Sequence, residues 1–256
     1  MTSGIQLTTG SVRALLSDLL DFIYPPFCGI CGQRLTDEEK NICRMCWRSL
    51  AVIEEPYCRR CGLPLDLPGP VCPGCRSRQR HFSFARSFGI FDERLQRILH
   101  LFKYRRRRSL AERLAQILLP VIRQDRRFET MEAIVPVPLH GTKARSRGYN
   151  QSELIASRLS RKAGFNLLNG ILLRVRNTPS QSSLGLTERE KNVRDAFRVR
   201  DPKTISEMRL ILLDDVLTTG ATADACAGAL LKAGVKEVCV LTVARTPEPG
   251  LPTRTS

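Results

Sequence analysis

The chain has 256 residues, 42% of them hydrophobic, an ordinary share for a globular protein and enough for one sizeable core with a small appendage. Lysine and arginine number 41 against 25 aspartates and glutamates, and the resulting formal charge of +16 points to anionic partners such as nucleic acid or phosphorylated small molecules. No run reaches the apolar length that spans a bilayer and residues 1–10 carry no basic leader, so a cytoplasmic protein that is not transmembrane is expected.

Residues 11–23 read as a short amphipathic helix, interrupted by Ser17, Asp18 and Asp21 and ended by Pro25 and Pro26, so that 1–26 forms an N-terminal helical segment. Its expected role is packing on the body of the protein, with docking at a membrane surface as the other reading. Eight of the ten cysteines then form four Cys-x-x-Cys pairs: Cys28/Cys31, Cys43/Cys46, Cys58/Cys61 and Cys72/Cys75. A pair at this spacing grips a tetrahedral metal from one tight turn and leaves two positions for a second pair. Two four-cysteine sites follow, both structural, because thiolates fill every position and none is left for water or substrate. The first two pairs on one Zn2+ and the last two on another is the simplest arrangement; the spacing also admits a crossed one. Residues 27–76 thus read as a double zinc ribbon. Cys226 and Cys239 stand alone and read as small core residues.

Residues 76–84 carry charge without an apolar period and read as an exposed connector. A single α/β pattern follows over 77–246, and the Pro- and Thr-rich stretch 247–256 reads as a disordered tail. Leu95, Ile98, Leu99 and Phe102 recur at helix spacing, as do Leu110, Leu114, Ile117, Leu118 and Val121, with Ser109 and Glu112 as a capping box for the second helix. Between them Lys103-Tyr104-Arg105-Arg106-Arg107-Arg108 packs five cations into six residues. The two readings are a solvated turn and a phosphate-binding patch that meets a pyrophosphate or a nucleic-acid backbone, with Tyr104 stacking on a base.

Residues 133–138 predict a strand that Pro136 and Pro138 restrict to sparse pairing on one side. A Gly-bearing loop with Lys143, Arg145 and Arg147 comes next, suited to neutralising a pyrophosphate, and leads into a helix capped by Asn150 with Glu153. His140 reads as a hydrogen-bonded loop residue without a catalytic task. Gly164 ends the helix, and 171–175 predict a strand. The Ser-rich loop 176–185, followed by a capping box at Thr187 and Glu190, reads as a candidate lid. Gln181, Arg189 and Asn192 are its expected ligand-facing residues, although surface contacts and caps are an equal reading. Closure there would exclude water from an oxocarbenium-like ribosyl transition state.

Residues 210–213 form a continuous apolar run, as in a strand buried on both faces of a parallel sheet. Asp214 and Asp215 stand at its carboxyl end, where open α/β sheets place ligands. Thr218, Thr219, Gly220, Ala221 and Thr222 then lead into a helix, offering N–H groups, hydroxyls and a positive helix end to one phosphate. Carboxylates accept the protons of a sugar diol, so the combination describes a phosphorylated ribose. A last strand is read at 237–244.

The run 213–222, Leu-Asp-Asp-Val-Leu-Thr-Thr-Gly-Ala-Thr, resembles the 5-phosphoribosyl-1-pyrophosphate (PRPP) signature of type I phosphoribosyltransferases. That resemblance implies an α/β parallel sheet with flanking helices, an acid pair on the ribose hydroxyls and a threonine-glycine loop on the 5'-phosphate. The order of parts across 28–245 resembles the competence protein F (ComF) family, which joins a zinc ribbon to a phosphoribosyltransferase-like domain. Beyond the cysteines and the signature run, it is carried by Lys103-Tyr104, the stretches 135–140 and 147–151, and Thr178, Gln181, Leu184, Arg189 and Asn192. Tyr149 stands where the family pattern suggests Phe. The resemblance implies handling of single-stranded DNA in natural competence, while some members are linked instead to sugar-acid use.

Three functions are compatible with these features. One is a phosphoribosyltransferase in which the cationic loop, with Mg2+, stabilises departing pyrophosphate. Another is a binding protein whose zinc module and basic clusters hold single-stranded DNA, while the PRPP site senses the ligand or only persists. The third is a docking module for other DNA-uptake proteins.

Overall fold

A computed structural model describes residues 26–66, 69–105, 107–176 and 195–247, apart from the side chains of residues 143, 144 and 146. The helix expected at 11–23, Arg106, Gln181, Arg189, Asn192, the capping box at 187–190 and the tail beyond 247 lie outside the described residues. The chain divides into two compact units, residues 1–49 and 50–256.

In the first unit Phe27 bridges Arg34 across a tight turn, with Cys28 N–H donating to Gln33 and Gly32 N–H to Cys28. Helix α1 (Arg44–Arg48) follows, its first turn capped by the Cys43 sulfur, which accepts from Cys46 N–H. A cap made by a metal ligand joins helix start and knuckle in one residue.

The second unit opens on the same motif: Tyr57 bridges Pro64 and helix α2 (Pro73–Arg76) starts with proline, whose missing N–H costs nothing there. This knuckle lies directly on the sheet domain. Arg60 O accepts from Ala85 N–H at 2.8 Å, and a Cβ on Gly62 would stand 2.8 Å from Ala85 O, so only glycine fits. Arg127, paired with the buried Asp125, donates to Arg59 O at 2.8 Å, and the Arg86 guanidinium lies 3.4 Å over the Tyr57 ring.

Strands β1 (Ala85–Ile90), β2 (Ala133–Pro136), β3 (Asn166–Leu167), β6 (Arg209–Leu217) and β7 (Glu237–Arg245) form a parallel sheet in the order β1-β7-β6-β2-β3. Strands β4 (Leu172–Arg174) and β5 (Phe197–Val199) form a separate antiparallel pair. The prolines act as their chemistry demands: β2 pairs over four residues with β6 but over two with β3. Helices α3 (Glu93–Tyr104), α4 (Leu110–Gln124), α5 (Gly141–Arg147), α6 (Gln151–Ala163) and α7 (Ala221–Lys232) complete the unit. Helix α7 covers one face, placing Cys226, Ala227 and Leu230 against Leu210, Leu212, Val238 and Val240. Helix α4 packs against β1 and β7, α6 against β2 and β6, and the two helices pack on each other. Residues 210–213 are fully buried, as a strand covered on both faces must be.

Three local expectations need correction. Ser109 makes no side-chain cap, and Glu112 instead pairs with Lys162 at 2.6 Å and Arg158 at 3.6 Å, drawn off by cations on the neighbouring helix. Asn150 does cap α6 by accepting from Ser152 N–H, but Glu153 turns away to Asn169. The expected cationic loop 141–147 is helical, consistent with the good helix-forming tendency of Lys, Ala and Arg there.

Candidate functional site

The cysteines assemble sequentially. Cys28, Cys31, Cys43 and Cys46 form one cluster and Cys58, Cys61, Cys72 and Cys75 another, with ligand atoms in each within 4.8 Å of one another. Backbone N–H groups aim at sulfur, Cys43 N at Cys28 Sγ and Cys72 N at Cys58 Sγ, both at 3.3 Å. Burial opposes ionisation of Cys28, yet N–H groups of Cys31, Cys43 and Ile30 outweigh it and bring the thiol down to about 6. Thiols of Cys61 and Cys75 hold Cys58 well below the ordinary range, while Cys75, beside Cys58 and Cys61, is pushed well above it. One ready thiolate among crowded thiols is the electrostatic condition a divalent cation relieves, and four sulfurs at this spacing fit tetrahedral Zn2+. These are two structural zinc-binding sites.

The acid pair lies where β6 outruns its neighbour. Pairing of β2 with β6 ends at Pro136 and Leu213, whereas β7 continues alongside to Leu217. Adjacent strand residues point to opposite faces, and the two carboxylates accordingly meet different helices. Asp214 Oδ1 accepts from Ser152 Oγ of α6 and from Asp215 N–H, each at 2.9 Å. Asp215 Oδ2 meets Lys103 Nζ, at the end of α3, at 2.6 Å. Burial, with the Asp215 charge added, pushes the Asp214 carboxyl up to about 7. The carboxylates therefore flank the strand end instead of standing side by side.

Beyond them the chain bends through 218–220 into α7. Gly220 is left-handed at φ 81°, a conformation that side chains resist. The N–H groups of Thr218, Thr219 and Gly220 donate to no described backbone carbonyl, while Ala221 N–H is taken by Thr219 Oγ1 at 3.4 Å. These three amides, without a backbone acceptor among the described residues, stand at the head of a twelve-residue helix whose dipole favours an anion.

A cationic surface adjoins the acid pair. Arg147 Nη2 donates to the exposed Tyr104 hydroxyl at 3.1 Å, its guanidinium carbon 5.1 Å from the ring centroid. Arg108 donates to Gly148 O at 2.9 Å and lies 4.9 Å over the Tyr149 ring. Tyr104 and Arg108 are thereby joined to Arg147 and Gly148, far away in sequence, and His100 lies beside Tyr104 at 4.9 Å. Lys103 is already engaged by Asp215. His140 Nδ1 bonds the Thr142 hydroxyl at 2.8 Å, a local turn contact. A cavity of about 870 Å3 lies along α7 and the β4–β5 pair, lined by His81, Phe197, Ala221, Asp224, Gly228 and Lys232 among others; neither Asp214 nor Asp215 lines it.

Sequence reasoning misses four participants. Ser152 reads as an ordinary first-turn residue, and its burial beside Gln151 shows only in the structure. Arg245 ends an otherwise apolar strand and reaches the carbonyls of Leu217, Thr218 and Thr246. Arg80 and His81 fall in the connector, which is exposed at Arg76, Ser77, Gln79, His81 and Ser83 as expected but also docked: Phe82 and Phe84 are core residues, and His81 N–H donates to Asp224 at 2.7 Å. No local pattern reports such contacts, since the partners are far along the chain.

A double zinc ribbon family model matches residues 19–76. Competence protein F of Haemophilus influenzae is 31% identical over 85% of this chain and 96% of its own. DNA utilization protein YhgH of Salmonella typhimurium is 31% identical over 87% and 98%, and competence protein ComFC of Bacillus subtilis 27% over 78% and 82%. Among solved structures, glutamine PRPP amidotransferase from B. subtilis aligns with 53% of this chain and 26% of its own at 19% identity and a TM-score of 0.37. Adenine phosphoribosyltransferase from Leishmania tarentolae aligns with 54% and 71% at 14% identity and a TM-score of 0.33. With paired four-cysteine knuckles, a parallel sheet ending in an acid pair, and relatives matched over nearly their full length, the chain belongs to the competence protein F family.

Proposed function

We propose that this protein binds PRPP at the end of β6 and handles single-stranded DNA on the adjoining cationic face. The observation that carries the first part is the juxtaposition of Asp214 and Asp215 with three amides that donate to no described backbone carbonyl at the head of α7. The 5'-phosphate lies on the 218–222 loop, the ribose hydroxyls lie over the strand end between the two carboxylates, and the pyrophosphate meets Arg145, Arg147 and Lys143. Mg2+ enters with the pyrophosphate and offsets its charge. Asp215 is matched by Lys103, and a cation near the strand end would favour the ionised form of Asp214. Calorimetry with PRPP tests the site: Asp214→Asn with Asp215→Asn should abolish binding while circular dichroism is unchanged, and undiminished affinity refutes the reading. Incubation with labelled PRPP and a panel of bases, nucleosides and DNA, followed by pyrophosphate release, decides whether binding leads to transfer.

The DNA reading is supported by Tyr104, exposed and flanked by Arg147, within a chain of charge +16, and by relatives named for competence and DNA utilization. Arginines tracking phosphates with an aromatic ring between them suit an unpaired strand, whose bases stack on any π face. Neutralising Arg105, Arg107 and Arg108 should flatten the salt dependence of single-stranded DNA affinity. An unaltered slope shows that these arginines touch no phosphate.

A further inference from the structure

The connector that leaves the second zinc knuckle runs onto the phosphate loop. Arg60 Nη1 first ties it down, donating to the carbonyls of Cys75 at 3.2 Å and Arg78 at 3.4 Å. Arg80 Nη2 then donates to Thr219 O at 2.8 Å, and its guanidinium carbon stands 3.8 Å from where a Gly220 Cβ would be. His81 fastens the next residue to α7: its N–H donates to Asp224 Oδ1 at 2.7 Å, and its ring Nδ1 meets Oδ2 at 3.1 Å. The ring lies over Gly228, where a Cβ would come within 3.3 Å of it.

Arg245 reaches the same loop from the end of β7. It is 7% exposed, and its Nη1 donates to Leu217 O at 3.1 Å, Thr218 O at 2.5 Å and Thr246 O at 2.8 Å. Its Nε has no partner among the described residues. Two guanidinium groups thus hold the consecutive carbonyls of 217, 218 and 219. In a trans peptide the C=O and the following N–H point in opposite directions. Those three carbonyls share peptide planes with the N–H groups of Thr218, Thr219 and Gly220, the amides that donate to no described backbone carbonyl. Holding the carbonyls toward the two guanidinium groups turns the amides away from them, and the two cations add a positive field behind those amides.

We propose that Arg80, delivered by the zinc-ribbon connector and working opposite Arg245, is a positioning residue of the 5'-phosphate loop. This rests on the PRPP reading above and deepens it: the second ribbon is part of the sugar-phosphate site, through a side chain that carries the loop and not through the metal. Asp224 and Gly228 belong to the same device, one as the anchor of His81 and the other as the space for its ring.

Calorimetry on the full zinc-loaded chain in Mg2+ buffer tests it, with PRPP, ribose 5-phosphate and pyrophosphate as probes. Arg80→Ala should weaken PRPP and ribose 5-phosphate about tenfold, the scale of one charge-assisted hydrogen bond. Pyrophosphate affinity and zinc content should be unchanged, and the melting temperature should fall by no more than a few degrees. Arg80→Lys, which keeps the charge but not the guanidinium fork, should recover part of the loss. Wild-type affinity of Arg80→Ala for ribose 5-phosphate overturns the proposal, and so does an equal loss for all three probes, which a general loosening would give. If Arg80→Ala does not fold, Gly228→Ala carries the test: displacing His81 should reproduce the ligand-selective loss, and unchanged ribose 5-phosphate affinity overturns the proposal. Failure of the PRPP reading itself looks different. In that case wild type binds no PRPP, or Asp214→Asn with Asp215→Asn binds it undiminished, and the role of Arg80 falls with it.

Discussion

The two four-cysteine clusters follow one local recipe in different company. In the first, Cys31 is exposed, and the neighbouring elements are a single bridge and the five-residue α1. In the second all four cysteines are buried, and the knuckle is tied outward by Gly62 against Ala85, Arg127 against Arg59, and the connector ending on Thr219 and Asp224. Ligand spacing does not separate the two sites. Their neighbours do, so a metal that closes the first orders its own turns, and a metal that closes the second also steadies part of the sheet domain.

The largest expected effect tests this difference directly. Structural zinc sites contribute on the order of 10 kcal/mol to the folding of the segment they close. Cys58→Ser with Cys61→Ser should lower the main melting transition by about 10 °C or more. Cys28→Ser with Cys31→Ser should leave that transition nearly in place. Each variant should retain about one zinc per chain by metal analysis. Equal losses in the two melting curves would erase the contrast between the clusters.

The same contrast explains which features are legible in the sequence. Knuckles, the apolar run 210–213, the Gly164 helix end and the proline limits on β2 are set by residues close together in sequence, and the structure has them where the patterns put them. The Ser109 cap and the fully exposed connector fail for another reason: Lys162, Arg158, Thr219 and Asp224 come from elsewhere in the chain and change what the local sequence favours. The loop at 141–147 differs, since its own Lys, Ala and Arg favour the helix found there. Asp214 and Asp215 are legible as an acid pair, but not the different partners that await them on the two faces of the sheet.

That inequality within the acid pair gives the next prediction. The folded pKa of Asp214, about 7, lies above the ordinary carboxyl value, so its contribution to stability is fully present below that ordinary value and is lost as pH rises through 7. Asp214→Asn carries no such charge. Between pH 5 and pH 8 the melting temperature of wild type should therefore fall relative to the variant, by on the order of a few kcal/mol in stability. PRPP binding should run the other way and strengthen as Asp214 ionises, because a ribose hydroxyl needs an acceptor. Parallel pH profiles for wild type and variant would show that Asp214 is not the group that titrates.

Lys103 makes a smaller, graded change. Its charge lowers the Asp214 pKa, so Lys103→Met should move the folded-state midpoint of Asp214 above 7, and with it the pH at which the fall in stability ends. The measurement is the same melting series. An unmoved midpoint would separate the end of α3 from the acid pair electrically, despite the 2.6 Å contact with Asp215.

The smallest effect comes from Tyr149, the aromatic residue beside the end of α3. Helix α3 ends at Tyr104, so the Phe102 carbonyl is among the last four that lack an intrahelical donor. The Tyr149 hydroxyl donates to it, and the two rings pack with centroids 5.7 Å apart. Phenylalanine would keep the ring contact and leave the carbonyl without its donor. Tyr149→Phe should therefore cost about 1 kcal/mol, a shift of about 2–4 °C in melting temperature. Because the lost bond holds the turn that carries Lys103, the variant should also nudge the Asp214 midpoint upward, in the direction of Lys103→Met and by less. A stability loss with no movement of that midpoint would make the hydroxyl a cap for α3 alone, with no part in setting the charge at the acid pair.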